Sequence, residues 1–120
     1  MKPLYLALAV LMSVGAGPVM AQDGYYDGHF ESLKNLYDGA MDNINQSIKA
    51  ARADDFDTSC KQLKMAGGKL TVGRIDAEND LEEMNSNGTS AEKGAIRSIL
   101  KLFKEAQAAV TTRLEACPNT

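Results

Sequence analysis

The sequence holds a single histidine, His29, and that scarcity removes several chemistries at once. The two cysteines, Cys60 and Cys117, form neither a CxxC redox pair nor the CxxCH of covalent haem attachment. No Ser–His motif is recognisable, so no activated nucleophile stands out. Basic residues are in deficit, 13 against 16 acidic, for a net charge of −3. A chain with that balance is a poor partner for nucleic acid or an anionic membrane surface. Strand-like alternation, internal repeats and low-complexity tracts are all missing. Beyond the first 21 residues no apolar run is long enough to span a bilayer.

The first residues point to export. Met1 and Lys2 make a short basic start, residues 4–14 are apolar, and Gly15, Gly17 and Pro18 break the run. Val19, Met20 and Ala21 then form a peptidase-type junction, so residues 1–21 read as a secretory signal peptide cleaved before Gln22. The short basic start and the Ala–Gln junction favour a bacterial periplasm, or secretion. Lys2 is the one charged residue in that leader, so 12 basic residues remain against 16 acidic, a net charge of −4. Residues 22–120 suffice for one small domain.

Three amphipathic segments follow. Phe30, Leu33, Tyr37, Ala40, Met41, Ile44, Ile48 and Ala51 recur at helical steps, which predicts a helix over 27–53 with Asp27 as its N-cap. Asp54 or Asp55 can cap what comes next. Phe56, Cys60, Leu63, Gly67, Leu70, Arg74, Ala77, Leu81 and Met84 form a four–three line on a second helix. It should end in the turn-formers of residues 85–88. Thr89 and Glu92 match a capping box. Ile96, Ile99, Phe103, Ala106, Val110, Leu114 and Cys117 then make the third apolar stripe, closed by Pro118. The expected fold is all-α, an antiparallel up-down-up bundle of three long helices.

An even cysteine count in an exported chain implies one disulfide, Cys60–Cys117. Facing residues of an antiparallel hairpin lie equally far from its turn, and the midpoint of this pair falls between Gly88 and Thr89. That is where the capping box already places the turn. The bridge closes a loop of 57 residues and stabilises by roughly 4 kcal/mol in the chain-entropy model, large for a domain whose total is about 5–15 kcal/mol.

The stretch KMAGGKLTVGRID, residues 64–76, is the most unusual. Gly68 and Gly73 have phosphate-loop spacing, but Arg74 and Ile75 stand where Lys and Ser or Thr are needed, and no strand precedes them. The hairpin rule instead sets Gly67 and Gly68 against Val110 and Ala109. Three readings stay open: close helix approach or a kink, a ligand groove formed by Gly67, Gly68 and Arg74, or a break into two shorter helices. Arg74 sits on the apolar line and is expected near Lys34 of the first helix, with Glu31 and Asp38 within reach of its guanidinium.

The segment QDGYYDGHFE offers weak metal candidates in Asp23, Asp27, His29 and Glu31, in no calcium-loop or zinc spacing. Non-covalent haem would need His29 and one of Met41, Met65 or Met84. Asp76, Glu78, Asp80, Glu82 and Glu83 read as the solvated face of the second helix. Asn45 and Asn87 begin glycosylation acceptor triplets, relevant only in a eukaryotic host. The expectation is an exported, non-enzymatic helical protein without a cofactor that binds a protein partner, as an interaction, chaperone-like or inhibitor module. The alternative is a small-ligand, haem or metal carrier using the bundle interior or the N-terminal acidic cluster.

The leader reading predicts that exported protein begins at Gln22. Intact-mass measurement that finds Met1 retained would refute it.

Overall fold

The computed structural model describes residues 26–118; the leader, Gln22 and Asp23 lie outside them. Three helices account for nearly all of that span: α1 (Asp27–Arg52), α2 (Phe56–Asn87) and α3 (Ser90–Leu114). They run up, down and up in a body of 48 × 26 × 20 Å. α2 packs along both neighbours, whereas α1 and α3 approach each other little. Among the described residues no helix is long and apolar enough to cross a membrane.

Local chemistry explains the ends. At the close of α1 the Asp55 amide donates to Ala50 O at 2.8 Å and the Asp54 amide to Ala51 O at 3.1 Å. This is a Schellman-type closure, and Asp54 supplies its left-handed residue with φ 60, a conformation that Asp tolerates better than most residues. Asp55 then caps α2, its carboxylate accepting from the Thr58 amide at 3.2 Å. The Thr58 side chain first, and this amide second, hold the Asp55 carboxyl below its usual range. The capping box of α3 is complete: Glu92 N donates to Thr89 Oγ1 at 3.1 Å, and Thr89 N to Glu92 Oε1 at 2.9 Å. The start of α1 departs from expectation. Tyr26 holds the N-cap position without a side-chain cap, and Asp27 is the first helical residue, where its charge still favours the positive helix end.

Cys60 and Cys117 are bonded, with Cα atoms 5.9 Å apart. The bridge ties the start of α2 to the segment just after α3, at the end of the hairpin away from its turn.

The core is filled by Phe30, Leu33, Leu70, Met84, Ile96, Phe103 and Val110, all 2 % exposed or less. α2 buries more than the apolar line of its sequence. Ser59, Ala66, Gly73 and Asp80, spaced by seven, are buried too. A seven-residue repeat drifts about 20° per heptad around a straight helix, and the middle helix must serve two neighbours. It therefore uses two lines, one apolar and one of small or polar residues. Phe56, at the head of the apolar line, is left 62 % exposed.

α2 is continuous through its glycines, none of which has positive φ. Each of the three meets a different surrounding. A Cβ on Gly67 would lie 3.6 Å from Val110 Cγ1 and 3.8 Å from Leu114 Cδ1, ordinary contacts. Gly68 faces open space rather than Ala109, because successive helical residues turn by about 100° and cannot both face α3. Gly73 is the glycine that packing demands. A Cβ there would lie 2.2 Å from Phe103 Cε1 and 2.4 Å from Cζ.

Gly73→Ala should therefore destabilise by about 1–3 kcal/mol through overpacking. Gly68→Ala should stabilise by up to about 1 kcal/mol through helix propensity. Urea unfolding of the two variants checks this, and a Gly73→Ala protein as stable as wild type would refute the close contact.

Candidate functional site

Two features outside the apolar core could carry function: a polar seam between α1 and α2, and the outer face of α2.

The seam runs the length of the α1–α2 contact. Ser47 and Ser59 share a hydrogen bond of 2.8 Å between buried hydroxyls. Asn43 is 5 % exposed. Its Nδ2 donates to Gln62 Oε1 at 2.8 Å, and its Oδ1 accepts from Lys69 Nζ at 2.7 Å. At the far end His29 Nδ1 lies 2.8 Å from Asp80 Oδ1, and the Tyr26 hydroxyl donates to Glu83 at 3.4 Å. Pairs of this kind fix helix register, because a slip leaves buried polar groups without partners. Asp80 thus leaves the solvated face to which its spacing assigned it, and is 8 % exposed.

The His29–Asp80 pair opens on a surface cleft of about 350 Å³, also lined by Ser32, Leu33, Asp76 and Asn79. A carboxylate on Nδ1 leaves Nε2 free, as in a hydrolytic triad. Ser32 shares the cleft, but it makes no hydrogen bond with the imidazole among the described residues, so the nucleophile–base contact is missing. Asp27 and Glu31 do not join His29 in a cluster. Among the described residues no three His, Cys, Asp or Glu side chains come together around a metal-sized site.

Of the methionines weighed as haem ligands, Met41 and Met84 are buried in the core and Met65 faces outward. Arg74 does not reach Lys34. It lies on the α3 side, with Nε donating to Gln107 Oε1 and Nη1 to Glu78 Oε1, both at 2.9 Å. The positions one and two heptads before it already face α3: Gly67 lies beside Val110 and Leu114, and Cys60 is bonded to Cys117. Tyr37 has its hydroxyl buried without a partner among the described residues, and burial pushes the phenol up to about 12.

The outer face of α2 is different in kind. Met65 is 51 % exposed, Val72 50 % and Ile75 44 %. With Gly68 they recur at steps of three, four and three, the spacing of a helix seam, on the side of α2 away from both neighbours. Lys61 and Lys64 lie at the N-terminal end of this strip, and Asp76 and Glu82 at its C-terminal end. The spacing was present in the sequence as a second apolar line on α2, hidden beside the stronger core line.

No known family, curated protein or solved structure matches the chain.

Burial raises the Asp80 carboxyl, the hydrogen bond and charge of His29 pull it back, and Asp76 and Glu83 push it up, for a net rise above 3.8. The fold therefore binds this proton more tightly than the unfolded chain does. Ionised Asp80 costs stability, fully so above its folded value and not at all below about 3.8. Asp80→Asn keeps an acceptor for His29 and removes the charge. Its stability relative to wild type should improve as pH rises from about 3 to about 6. Urea unfolding across that range giving a constant difference would refute it.

Proposed function

We propose that the protein is an exported, non-enzymatic helical module that docks a helix of another protein chain on the outer face of α2. The observation that carries this reading is the line of Met65, Val72 and Ile75, each about half exposed along one face of α2. Isolated surface apolar residues are common, but aligned ones mark contact surfaces. The leader and the Cys60–Cys117 bond support action in the periplasm or outside the cell, where disulfides persist.

The docking mode is a helix laid along a helix, read through anchors at steps of three and four. Burying the exposed half of three such side chains contributes about 1 kcal/mol each. Against the entropy lost on association, that supports a weak, reversible contact oriented by the charges at the two ends of the strip. The disulfide keeps the presenting helix rigid, so little ordering cost is added on binding.

A benzophenone side chain placed at Val72 should crosslink to a protein in cells that export this chain, while one at the exposed Lys104 of α3 should not. Equal yields at both sites, or no adduct at Val72, would overturn the reading.

A further inference from the structure

Two surface clefts between α1 and α2 form one groove, and we infer that it binds a short peptide of three or four residues by its free ammonium and carboxylate ends. The groove follows the flank of α2 that turns toward α1, beside the outer face and not on it. The inference therefore stands apart from the docking reading above.

One cleft is that beside the His29–Asp80 pair. The other, of about 510 Å³, lies further along α1 and is lined by Leu36, Gly39 and Lys69 among others. Ser32 lines both, which makes them continuous. Leu36 is half-buried and gives the groove an apolar floor. Ser32 and Asn35 make no hydrogen bond with other described residues, so both are open to the N–H and C=O groups of a ligand. A cleft with an apolar patch and a few convergent polar groups is the usual form of a small-ligand site.

Charge identifies the ligand. Lys69 is half-buried, and the partner of its Nζ is the neutral Asn43 Oδ1, at 2.7 Å. Asn43 in turn donates to Gln62, so its oxygen stays on the lysine. The ammonium thus has a fixed place with no carboxylate against it among the described residues. Gly39 leaves it that place, since a Cβ there would come 3.3 Å from Nζ. At the other end Asp80 is taken up by His29. Asp76 makes no hydrogen bond or ion pair with other described residues.

Lys69 and Asp76 stand seven positions apart on α2. Seven residues make nearly two full turns, so both lie on one flank, about 10 Å apart along the axis. An extended chain covers about 3.3–3.6 Å per residue. Three or four residues therefore set an ammonium at Asp76 and a carboxylate at Lys69. A phosphate ester would meet Lys69 but be repelled by Asp76, and a simple amine would meet the reverse. Exposed ion pairs are each weak, so binding needs both ends.

Titration of the oxidised mature protein with trialanine, to about 20 mM, followed in 1H–15N correlation spectra, tests this. The expected result is a saturable shift of the Ser32, Gly39 and Lys69 amides with a Kd of about 1 mM, in the range of a small, weak ligand. Acetylating the amine or amidating the carboxylate should each weaken binding about threefold or more. Dialanine, too short to reach both ends, should bind no better than the capped tripeptides. Asp76→Asn should weaken trialanine and leave the acetylated peptide unaffected. Lys69→Met should weaken trialanine and leave the amide unaffected. Lys69→Met also removes a partner of Asn43, whereas Asp76→Asn disturbs no contact in the fold, so the test survives if the first variant unfolds. No saturable shift overturns the inference. Capped peptides or dialanine that bind as well as trialanine overturn it too, as does an Asp76→Asn protein with wild-type affinity.

Discussion

The ring of Phe103 lies against the bare backbone of Gly73, and the arrangement of all three helices follows from that contact. The ring comes from α3, rests on α2 where a single methyl group would collide with it, and meets Tyr37 of α1 edge-on, with centroids 5.6 Å apart. α1 and α3 otherwise approach each other little. One aromatic side chain therefore joins elements that their backbones do not. With a larger residue at 73, the ring would have to move out, α3 would lift from α2, and the Tyr37 contact would go with it.

Around this point the two faces of α2 use different physics. Toward α3 the contact is largely apolar, closed at one end by the Cys60–Cys117 bond and at the other by the two-residue turn of Gly88 and Thr89. Toward α1 it carries a polar seam, Ser47 with Ser59, Asn43 with Gln62 and Lys69, and His29 with Asp80. Apolar packing tolerates small slips along a helix, whereas buried hydrogen bonds do not. The disulfide and the seam thus constrain opposite sides of the same helix, and α2 is held in register by both.

A helix fixed on two sides is a rigid platform for its third. Met65, Gly68, Val72 and Ile75 lie on that third side, and the same small residue that contributes nothing to the monomer suits the nearest approach of another helix. The functional reading and the internal architecture meet in α2: its core faces set its position, and its outer face is what remains to present to a partner.

The sequence by itself determined the three-helix order, the turn at Thr89 and the disulfide. Each rests on local signals, namely periodicity, a capping box and the symmetry of a hairpin about its turn. The apolar stripes of α1 and α3 were legible for the same reason, since each faces the rest of the fold from one side. α2 was half legible. Its four–three line mixed positions for both neighbours: Cys60, Gly67 and Arg74 all lie on the α3 side, so Arg74 paired with Gln107 and not with residues of α1. The second line of Ser59, Ala66, Gly73 and Asp80 carries no hydrophobic signal, because what its positions need is small size or a buried hydrogen bond. Only the tertiary structure decided that Gly73 was the glycine the fold requires and that Asp80 belonged to His29 and not to water. Both depend on which side chain arrives from a neighbouring helix, and composition along one helix does not encode that.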